Sequence, residues 1–264
     1  EFSWLSRETN RTTGKETASK NLKTYLAFYK IRLDFILPNY YNIFKMANYS
    51  DYYDTPEGEF LRNRHKRYFE MYLPLFPSDE NIKILDLGCG YGIFLDACRS
   101  KGYKNLYGIE QGQNWVDYAR KELKLENVKQ GDIFEHLKRS GDKYDVITAF
   151  NVLEHIPKNK VQDLFNLIFD SLNSGGGFIF EVPNAESQHG LTIFFSDLTH
   201  EWCYSRRLLN QLFKIHGFIS PKIIPSDVRK GKLIRIAQRI LTKITSGHNE
   251  FMYASNLICR VSKP

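Results

Sequence analysis

Cysteine is scarce in this sequence, and the few cysteines lie far apart. Four occur among 264 residues, with no C-x-x-C pair: Cys89, Cys98, Cys203 and Cys259. Small secreted proteins that rely on disulfides carry more cysteines, and structural zinc sites use closely spaced pairs of ligands. The sequence therefore predicts reduced thiols and argues against both a disulfide scaffold and a zinc-finger module.

Long apolar runs are also absent. No stretch of about 18 apolar residues, the length that a membrane-spanning helix needs, occurs in the chain. Residues 1–30 are polar and lack the apolar centre of a signal peptide. We expect a cytoplasmic protein, with peripheral contact at the inner face of the membrane as an open alternative.

Acidic residues are outnumbered by basic ones, at 30 Asp and Glu against 37 Lys and Arg, which leaves a net charge of +7. Residues 228–247 hold six of the basic residues and no acid, and their apolar residues recur at helical spacing. A basic amphipathic helix binds a membrane surface or an acidic partner, or packs on its own protein with the basic face in water. The charge alone does not choose among nucleic acid, phosphorylated sugar and membrane as partners.

The most informative stretch is residues 84–95, where an apolar run ends in glycines at alternate positions and an amphipathic run follows. The pattern predicts a buried strand, a tight turn and a helix. Gly88, Gly90 and Gly92 suit a turn against which a small molecule lies. We expect free amides at the helix N-terminus to favour an anionic group there.

A dinucleotide site is the rival interpretation of this turn. The third glycine comes one residue too early for G-x-G-x-x-G. Asp86 would repel a pyrophosphate, but it suits a ligand that carries an ammonium group. The turn therefore disfavours NAD.

Residues 84–95 resemble motif I of the class I S-adenosylmethionine-dependent methyltransferases, and the resemblance extends over residues 49–261. It implies an α/β fold: a Rossmann-like, doubly wound, seven-stranded, mostly parallel sheet with an antiparallel last strand. It also implies S-adenosylmethionine as the cofactor. We expect an N-terminal arm and helical extension at residues 1–48 and the methyltransferase domain at residues 49–264.

The resemblance also implies the cofactor contacts. Glu110 comes about 20 residues after the glycine turn, the separation that places a carboxylate on ribose hydroxyls. Asp132 would accept from the adenine amino group, and Ile133 would pack on the ring. The predicted cofactor site comprises Asp86, Gly88, Cys89, Gly90, Tyr91, Gly92, Glu110, Gln111, Asp132, Ile133, Phe150 and Asn151. Near it, Tyr53 could cover the cofactor, and Arg62 or Arg67 could pair with its carboxylate.

The fourth predicted strand runs into Val-Leu-Glu-His-Ile-Pro, residues 152–157, which resembles small-molecule and sugar methyltransferases. It differs from the N/D-P-P-Y motif of enzymes that methylate bases or protein glutamine, so nucleic acid is disfavoured as a partner. The D-x-T-H sequence at 197–200 and the Tyr-Ser pair at 204–205 resemble methyltransferases of bacterial polysaccharide and glycolipid biosynthesis.

Two histidines are the predicted catalytic residues, because histidine can take a proton from an acceptor hydroxyl near neutral pH. His155 follows the fourth strand, and His200 lies in a long predicted loop, residues 185–202, over the same edge. Asp197, Glu154 and Glu201 are candidate carboxylates for orienting the histidines or for binding the substrate. No metal is assigned, because no ligand spacing is fixed within one element; a site built from Glu154, His155, His200 and Glu201 stays an alternative.

The function predicted is therefore methyl transfer from S-adenosylmethionine to an oxygen of a saccharide or other small-molecule acceptor, either anionic or lipid-linked. RNA methylation and a non-catalytic cofactor-binding scaffold are the alternatives. Strands are expected at residues 84–87, 105–110, 127–132, 144–150, 178–184, 219–224 and 255–261, and helices at 56–75, 93–99, 115–123, 158–173 and 206–216. The glycines at 175–177 are expected to end the helix at 158–173. The acceptor's identity and the oligomeric state are not indicated.

Overall fold

The structure is a computed structural model that describes residues 58–226, 251 and 254–264, with side chains from residue 63 onward. Several predictions concern other residues: the extension at 1–48, the loop around Tyr53, the side chain of Arg62 and the basic segment at 228–247. These stay predictions, as does the domain boundary between residues 48 and 49.

The predicted fold class is confirmed by one sheet of seven strands among the described residues. They are β1 (Lys83–Leu87), β2 (Asn105–Glu110), β3 (Val128–Gln130), β4 (Tyr144–Phe150), β5 (Leu172–Pro183), β6 (Ile219–Pro225) and β7 (Asn256–Ser262). Their order across the sheet is β3-β2-β1-β4-β5-β7-β6. The first five strands pair in parallel, whereas β7 runs antiparallel to both β5 and β6.

Helices connect the strands and cover the sheet. They are α1 (Gly58–Arg67), α2 (Ile93–Lys101), α3 (Gln113–Lys121), α4 (Ile133–Arg139), α5 (Val161–Ser171), α6 (Gln188–Phe195) and α7 (Arg206–Ile215). The helix predicted to reach residue 75 changes its hydrogen-bonding pattern after α1, to a π-helical turn at Tyr68–Tyr72 and a 3-10 turn at Leu73–Leu75. Among the described helices, none has the length and apolar character to cross a membrane.

The sheet has an apolar core on each face. Ile84 and Leu85 are neighbours in β1 and both fully buried, yet they belong to different clusters, because successive side chains of a strand point to opposite faces. Ile84 shares its cluster with Phe94 of α2 and Val116 of α3. Leu85 shares its cluster with residues of α4, α5 and α7. This double coverage explains why the central strands are nearly continuous apolar runs.

The prediction that the glycines at 175–177 end a helix is wrong. They lie inside β5, where the pairing with β4 shifts register between Tyr144 and Val146. A Cβ at Gly176 would lie 2.8 Å from the carbonyl oxygen of Asn173. Gly176 therefore lies where the irregular strand leaves no room for a side chain, whereas Gly175 has open space around it and a positive φ.

Two helices, α4 and α6, were not predicted. Asp132 begins α4, and its Oδ1 accepts from the amides of Phe134 and Glu135 at 2.9 and 3.0 Å. Ser187 begins α6, and its Oγ accepts from the amide of Gly190 at 2.8 Å. Asp and Ser are preferred N-cap residues, so a capping signal was present in the sequence. The long loop predicted at 185–202 is thus only partly a loop.

Candidate active site

The turn between β1 and α2 holds three glycines with different surroundings. Gly88, Gly90 and Gly92 all have positive φ, of 66°, 51° and 77°. A Cβ at Gly88 would lie 2.6 Å from Val152, and one at Gly92 would lie 2.7 Å from a core leucine. A Cβ at Gly90 would meet, among the described residues, only Trp115 at 4.0 Å. The turn is closed by protein at its outer glycines and open at Gly90, where a ligand can lie.

Three backbone amides at the start of this turn are hydrogen-bonded within the protein, whereas the anion site expected at the amides of the α2 N-terminus stays a prediction. Gly88 and Cys89 donate to the carbonyl oxygen of Ile109 at 2.8 and 3.2 Å. The amide of Gly90 donates to the side chain of Glu110 at 2.9 Å. At Gly90 the turn therefore offers a ligand open space beside a carboxylate.

Glu110 is buried at the end of β2 and binds the backbone on both sides. Its Oε2 accepts from the amide of Gly90 and its Oε1 from that of Gly112, each at 2.9 Å. Burial raises the pKa of this carboxyl, while the two amides act in the opposite direction. Because each carboxylate oxygen accepts more than one hydrogen bond, the predicted ribose contact is compatible with this structural role.

Asp86 is a buried carboxylate near the end of β1. The hydroxyl of Thr148 in β4 donates to its Oδ1 at 2.6 Å. Burial raises the pKa of Asp86 to about 7; the Thr148 hydrogen bond opposes this and the charge of Glu110 adds to it. A ligand ammonium group would offset the cost of burying this charge.

The predicted adenine contacts lie at the start of α4. Oδ1 of Asp132 caps that helix, and Oδ2 accepts from the side chain of Gln111 at 3.3 Å. The side chain of Ile133 is buried in the core cluster that contains Leu85. Adenine binding stays a prediction, and Oδ2 of Asp132 is the atom better placed to make it.

The end of β4 is tightly packed. The ring of Phe150 lies against those of Tyr72 and Phe94, at centroid distances of 4.5 and 4.7 Å. Asn151 has a φ of 58°, and its side-chain amide donates to Oε1 of Glu154 at 3.2 Å. A non-glycine residue held at positive φ beside a site is a form of strain that surrounding contacts must maintain.

Cys89 and Tyr91 occupy the turn in different ways. The thiol of Cys89 is buried in the core, which raises its pKa well above the ordinary value. The ring of Tyr91 lies 5.3 Å from the rings of both Trp115 and Tyr118. Cys89 can therefore offer a ligand its backbone, whereas Tyr91 is part of an aromatic group beside the turn.

Arg67 is paired within the protein, which corrects its predicted role as partner of the cofactor carboxylate. Its guanidinium binds Oε1 of Glu181 and donates to the hydroxyl of Tyr72 at 3.1 Å. The hydroxyl of Tyr72 donates to the other oxygen of Glu181. The side-chain amide of Asn256 donates to Oε1 of Glu181 at 2.9 Å. This buried network was missed from the sequence, because its members lie far apart in the chain.

The structure brings the two predicted catalytic histidines together. Their rings lie 4.7 Å apart, with His155 in a 3-10 turn after β4 and His200 after α6. The carbonyl oxygen of Glu154 accepts from the amides of Glu201 and Trp202, at 2.7 and 3.2 Å, and so ties the two segments together. The donor atoms of Glu154, His155 and His200 lie within 4.8 Å of one another, a group that does not include Glu201. We call these three residues the Glu–His–His cluster.

The hydrogen bonds of the two rings assign their protonated nitrogens. Nδ1 of His200 lies 2.8 Å from the carbonyl oxygen of Phe194, which can only accept. The hydroxyl of Thr199 donates to Asp197 at 2.6 Å, so it accepts from Nδ1 of His155 at 2.8 Å. In both rings Nδ1 therefore carries the proton and Nε2 the lone pair.

Two groups of the cluster, His155 and Glu154, have pKa values far from their ordinary ones. Burial and the neighbouring His200 lower the pKa of His155 to about 4, so the ring is neutral near pH 7. Burial raises the pKa of Glu154 to about 8, and the charges of Glu181 and Asp197 add to the effect. Perturbation by burial together with specific neighbours is typical of functional sites.

The sheet order, the glycine turn after β1 and the acid ending β2 define the class I S-adenosylmethionine-dependent methyltransferase fold. The chain belongs to the methyltransferase domain family, whose model matches residues 60–219. A solved S-adenosylmethionine-dependent methyltransferase from Archaeoglobus fulgidus has the same fold. It aligns with a TM-score of 0.59 at 22% identity, over 78% of this chain and 94% of that chain. Family and fold together imply S-adenosylmethionine as the cofactor.

Several curated relatives match a part of the chain, and two of them are named for different kinds of acceptor. A Methanocaldococcus jannaschii protein assigned to protein N5-glutamine methylation is 32% identical over 46% of this chain and 66% of its own length. The ubiquinone biosynthesis O-methyltransferase of Acinetobacter baylyi is 27% identical over 57% of this chain and 63% of its own length. The chain therefore spans just under two thirds of these relatives.

Proposed function

We propose that the protein transfers a methyl group from S-adenosylmethionine to the oxygen of a hydroxyl on a saccharide or other small-molecule acceptor. The observation that carries this proposal is the Glu–His–His cluster at the carboxyl end of β4, the edge at which open α/β sheets bind ligands. The cluster lies beside the glycine turn, because Val152 packs against Gly88 just before Glu154. The Acinetobacter relative, named for O-methyl transfer, supports the same reaction type.

In this proposal three residues determine where the cofactor lies. Asp86 faces its ammonium group, the open side of Gly90 receives its chain, and Glu110 accepts from the ribose hydroxyls. The fit rests on the free space at Gly90 and on the buried carboxylate of Asp86. When bound, S-adenosylmethionine supplies an electrophilic methyl carbon on its sulfonium. The other proposed contacts are Gly88, Cys89, Tyr91, Gly92, Gln111, Asp132, Ile133, Phe150 and Asn151.

The cluster would position and deprotonate the acceptor hydroxyl. Nε2 of His155 or of His200 carries the lone pair that can accept the proton, since each Nδ1 donates elsewhere. The proton then passes from the imidazole to water, and the oxygen is left with the electron pair that forms the new bond. Holding two reactants in line supplies much of the rate, and a positioned base adds about 10²–10⁴.

We propose an acceptor that is carried on a lipid, phosphate or nucleotide. The segment that holds His200 also exposes apolar side chains: Phe195 is 78% and Leu198 is 59% exposed. Exposed apolar groups beside a site suit a lipid-bearing acceptor or a membrane surface. The basic segment at 228–247, outside the described residues, would add attraction for an anionic carrier.

Methylation of a glutamine amide is a second candidate, because the Methanocaldococcus relative is assigned to it. This chain has Asn-Val-Leu-Glu at 151–154 where that chemistry uses N/D-P-P-Y. The substitution replaces the proline pair by a turn that carries a buried acid, Glu154. We therefore favour oxygen as the acceptor atom.

The test is methyl transfer from labelled S-adenosylmethionine to matched panels of phosphorylated glycans, prenylated phenols, RNA and glutamine peptides. We expect an O-methyl product, identified by mass spectrometry and NMR, from a hydroxyl acceptor. Asp86→Asn serves as the cofactor-binding control. Methylation of RNA or of glutamine alone, with none at any hydroxyl, would overturn the proposal.

A further inference from the structure

We infer that the Glu–His–His cluster binds a divalent transition-metal cation, of the class of Mn²⁺, Co²⁺ or Zn²⁺. Two imidazole nitrogens and one carboxylate oxygen form a ligand set that such ions use in catalytic sites. The binding of the cation stands on the geometry of the cluster. Its use in methyl transfer rests on the proposed function.

The distances suit one ion. The donor atoms of Glu154, His155 and His200 lie within 4.8 Å of one another. Ligands at about 2.1 Å from a tetrahedral ion are about 3.4 Å apart, so small side-chain rotations close the set around it. The amides of Glu201 and Trp202 hold the two contributing segments together, as described above. The site is therefore assembled by backbone contacts before any ion binds.

An independent observation is the unpaired oxygen of Glu154. This side chain is 1% exposed, and Oε2 has no hydrogen-bond partner among the described residues, whereas Oε1 accepts from Asn151. A buried carboxylate oxygen without a partner is costly, and a cation bound to it removes that cost. The unpaired atom belongs to the one residue of the cluster that can become negatively charged, which it does when a cation displaces its proton.

The outer contacts of both rings are those that orient metal-binding histidines. Metal-bound imidazoles commonly donate their other N–H to a carbonyl or carboxylate. His200 donates from Nδ1 to the carbonyl of Phe194 at 2.8 Å. His155 donates to Thr199, whose hydroxyl donates in turn to Asp197. Thr199 is thus a positioning residue that connects a carboxylate to a ligand ring.

The ligand types select the cation and leave room for the acceptor. Mg²⁺ and Ca²⁺ prefer oxygen ligands, whereas imidazole suits Zn²⁺, Co²⁺ and their neighbours. Three protein ligands leave at least one coordination position open. Under the proposed function, the acceptor hydroxyl takes that position, and the cation lowers the pKa of the hydroxyl. Because both Nε2 atoms would then be ligands, water takes the proton, and this step replaces the histidine base of the proposed function while the methyl transfer to oxygen stays the same.

The experiment is a Co²⁺ titration of the full chain, freed of metal and of any polyhistidine tag, followed by visible absorption. We expect one saturable equivalent that Zn²⁺ displaces and Mg²⁺ does not. Glu154→Gln and His200→Asn should each weaken Co²⁺ binding more than about 100-fold. The loss of a metal ligand lowers affinity more than the loss of a residue that only contacts a ligand, which costs about 10–100-fold. His189→Asn changes an exposed histidine of α6 and should leave the affinity unchanged.

Thr199 supplies a readout that does not alter a ligand. Thr199→Val should weaken Co²⁺ binding about 10–100-fold, and Thr199→Ser, which keeps the hydroxyl, should restore it. Thermal unfolding shows whether each variant is folded. If a variant of Glu154 or His200 is not folded, the two Thr199 variants and the wild-type titration decide whether the metal site exists. Equal affinity of wild type and Glu154→Gln, or equal affinity of the two Thr199 variants, would overturn the metal site.

Binding of S-adenosylhomocysteine separates this inference from the proposed function. If the protein binds S-adenosylhomocysteine but shows no saturable Co²⁺ absorption, the metal site is refuted and the proposed function is unaffected. A normal Co²⁺ titration with no methylation of any hydroxyl acceptor keeps the site and removes the function.

Discussion

The backbone amide of Gly90 donates to Oε2 of Glu110 at 2.9 Å, so the glycine turn and the acid of the next strand form one unit. The other oxygen of the same carboxylate accepts from Gly112 at the start of α3. Glu110 therefore shapes the turn against which the cofactor is proposed to lie, in addition to the ribose contact predicted for it. Its replacement should affect both binding and folding.

Glu110→Ala should weaken S-adenosylhomocysteine binding by about 1–3 kcal/mol, the range for losing charged hydrogen bonds, and should also lower the melting temperature. Glu110→Gln keeps the shape of the side chain and should lose less. Calorimetry with S-adenosylhomocysteine and thermal unfolding measure the two effects, and NAD, which we expect not to bind, is the ligand control. Unchanged S-adenosylhomocysteine affinity in Glu110→Ala would remove Glu110 from the cofactor site.

Gly90→Val should abolish S-adenosylhomocysteine binding while the protein stays folded. The added side chain enters the open space beside the turn, and positive φ costs about 1–2 kcal/mol for a residue with a Cβ. Gly92→Val is the matched comparison, because its Cβ would strike the core at 2.7 Å and should destabilise the fold. Calorimetry and thermal unfolding of both variants check this. A Gly90→Val protein that binds normally would show that the ligand lies elsewhere.

S-adenosylhomocysteine affinity should rise with pH up to about 7 and then level off. The cofactor ammonium needs the ionised form of Asp86, whose pKa is raised to about 7, so below that pH the proton must first leave. The dissociation constant should change by up to about tenfold per pH unit there. Asp86→Asn should remove the pH dependence of the affinity. Thr148→Val should move it to higher pH, because the hydroxyl of Thr148 stabilises the ionised form of Asp86 and its loss raises the pKa of that carboxyl further. A flat profile in the wild type contradicts the assignment.

His155→Ala and His200→Ala should lower turnover with little effect on S-adenosylhomocysteine affinity. Replacing the group that activates the hydroxyl costs about 10²–10⁴ in rate. Turnover with a responsive hydroxyl acceptor and calorimetry with S-adenosylhomocysteine give the two quantities, and His189→Asn is the control. Near-normal turnover in both alanine variants would mean that positioning alone carries the rate.

Anionic liposomes should bind the protein, and salt should weaken the association. Exposed charges are screened over about 8–10 Å at physiological ionic strength. Replacing Phe195 and Leu198 by Ser should reduce co-sedimentation, whereas Ile215→Ser, at a site 65% exposed on α7, should not. Neutral liposomes serve as the reference. Absence of binding to anionic liposomes would remove the membrane part of the proposal and leave methyl transfer untouched.

Much of the sheet could be predicted from the sequence because its signals are local. β2 and β4 occupy the predicted residues, since each is a short apolar run bounded by polar residues. The glycine turn was recognised from alternate glycines, and the capping serine at 205 marks the start of α7. One prediction from a local signal was wrong: the glycine triplet at 175–177 lies in an irregular strand rather than at the end of a helix.

The sequence by itself determined the order of the strands and of five of the seven described helices, the glycine turn and the acids that surround it. Only the tertiary structure decided that Glu154, His155 and His200 meet, and that Arg67 pairs with Glu181. The physical reason is that these contacts join remote residues through single hydrogen bonds and ion pairs. Periodicity records which face of an element is buried, but it carries no signal of which distant carboxylate or ring that face will meet.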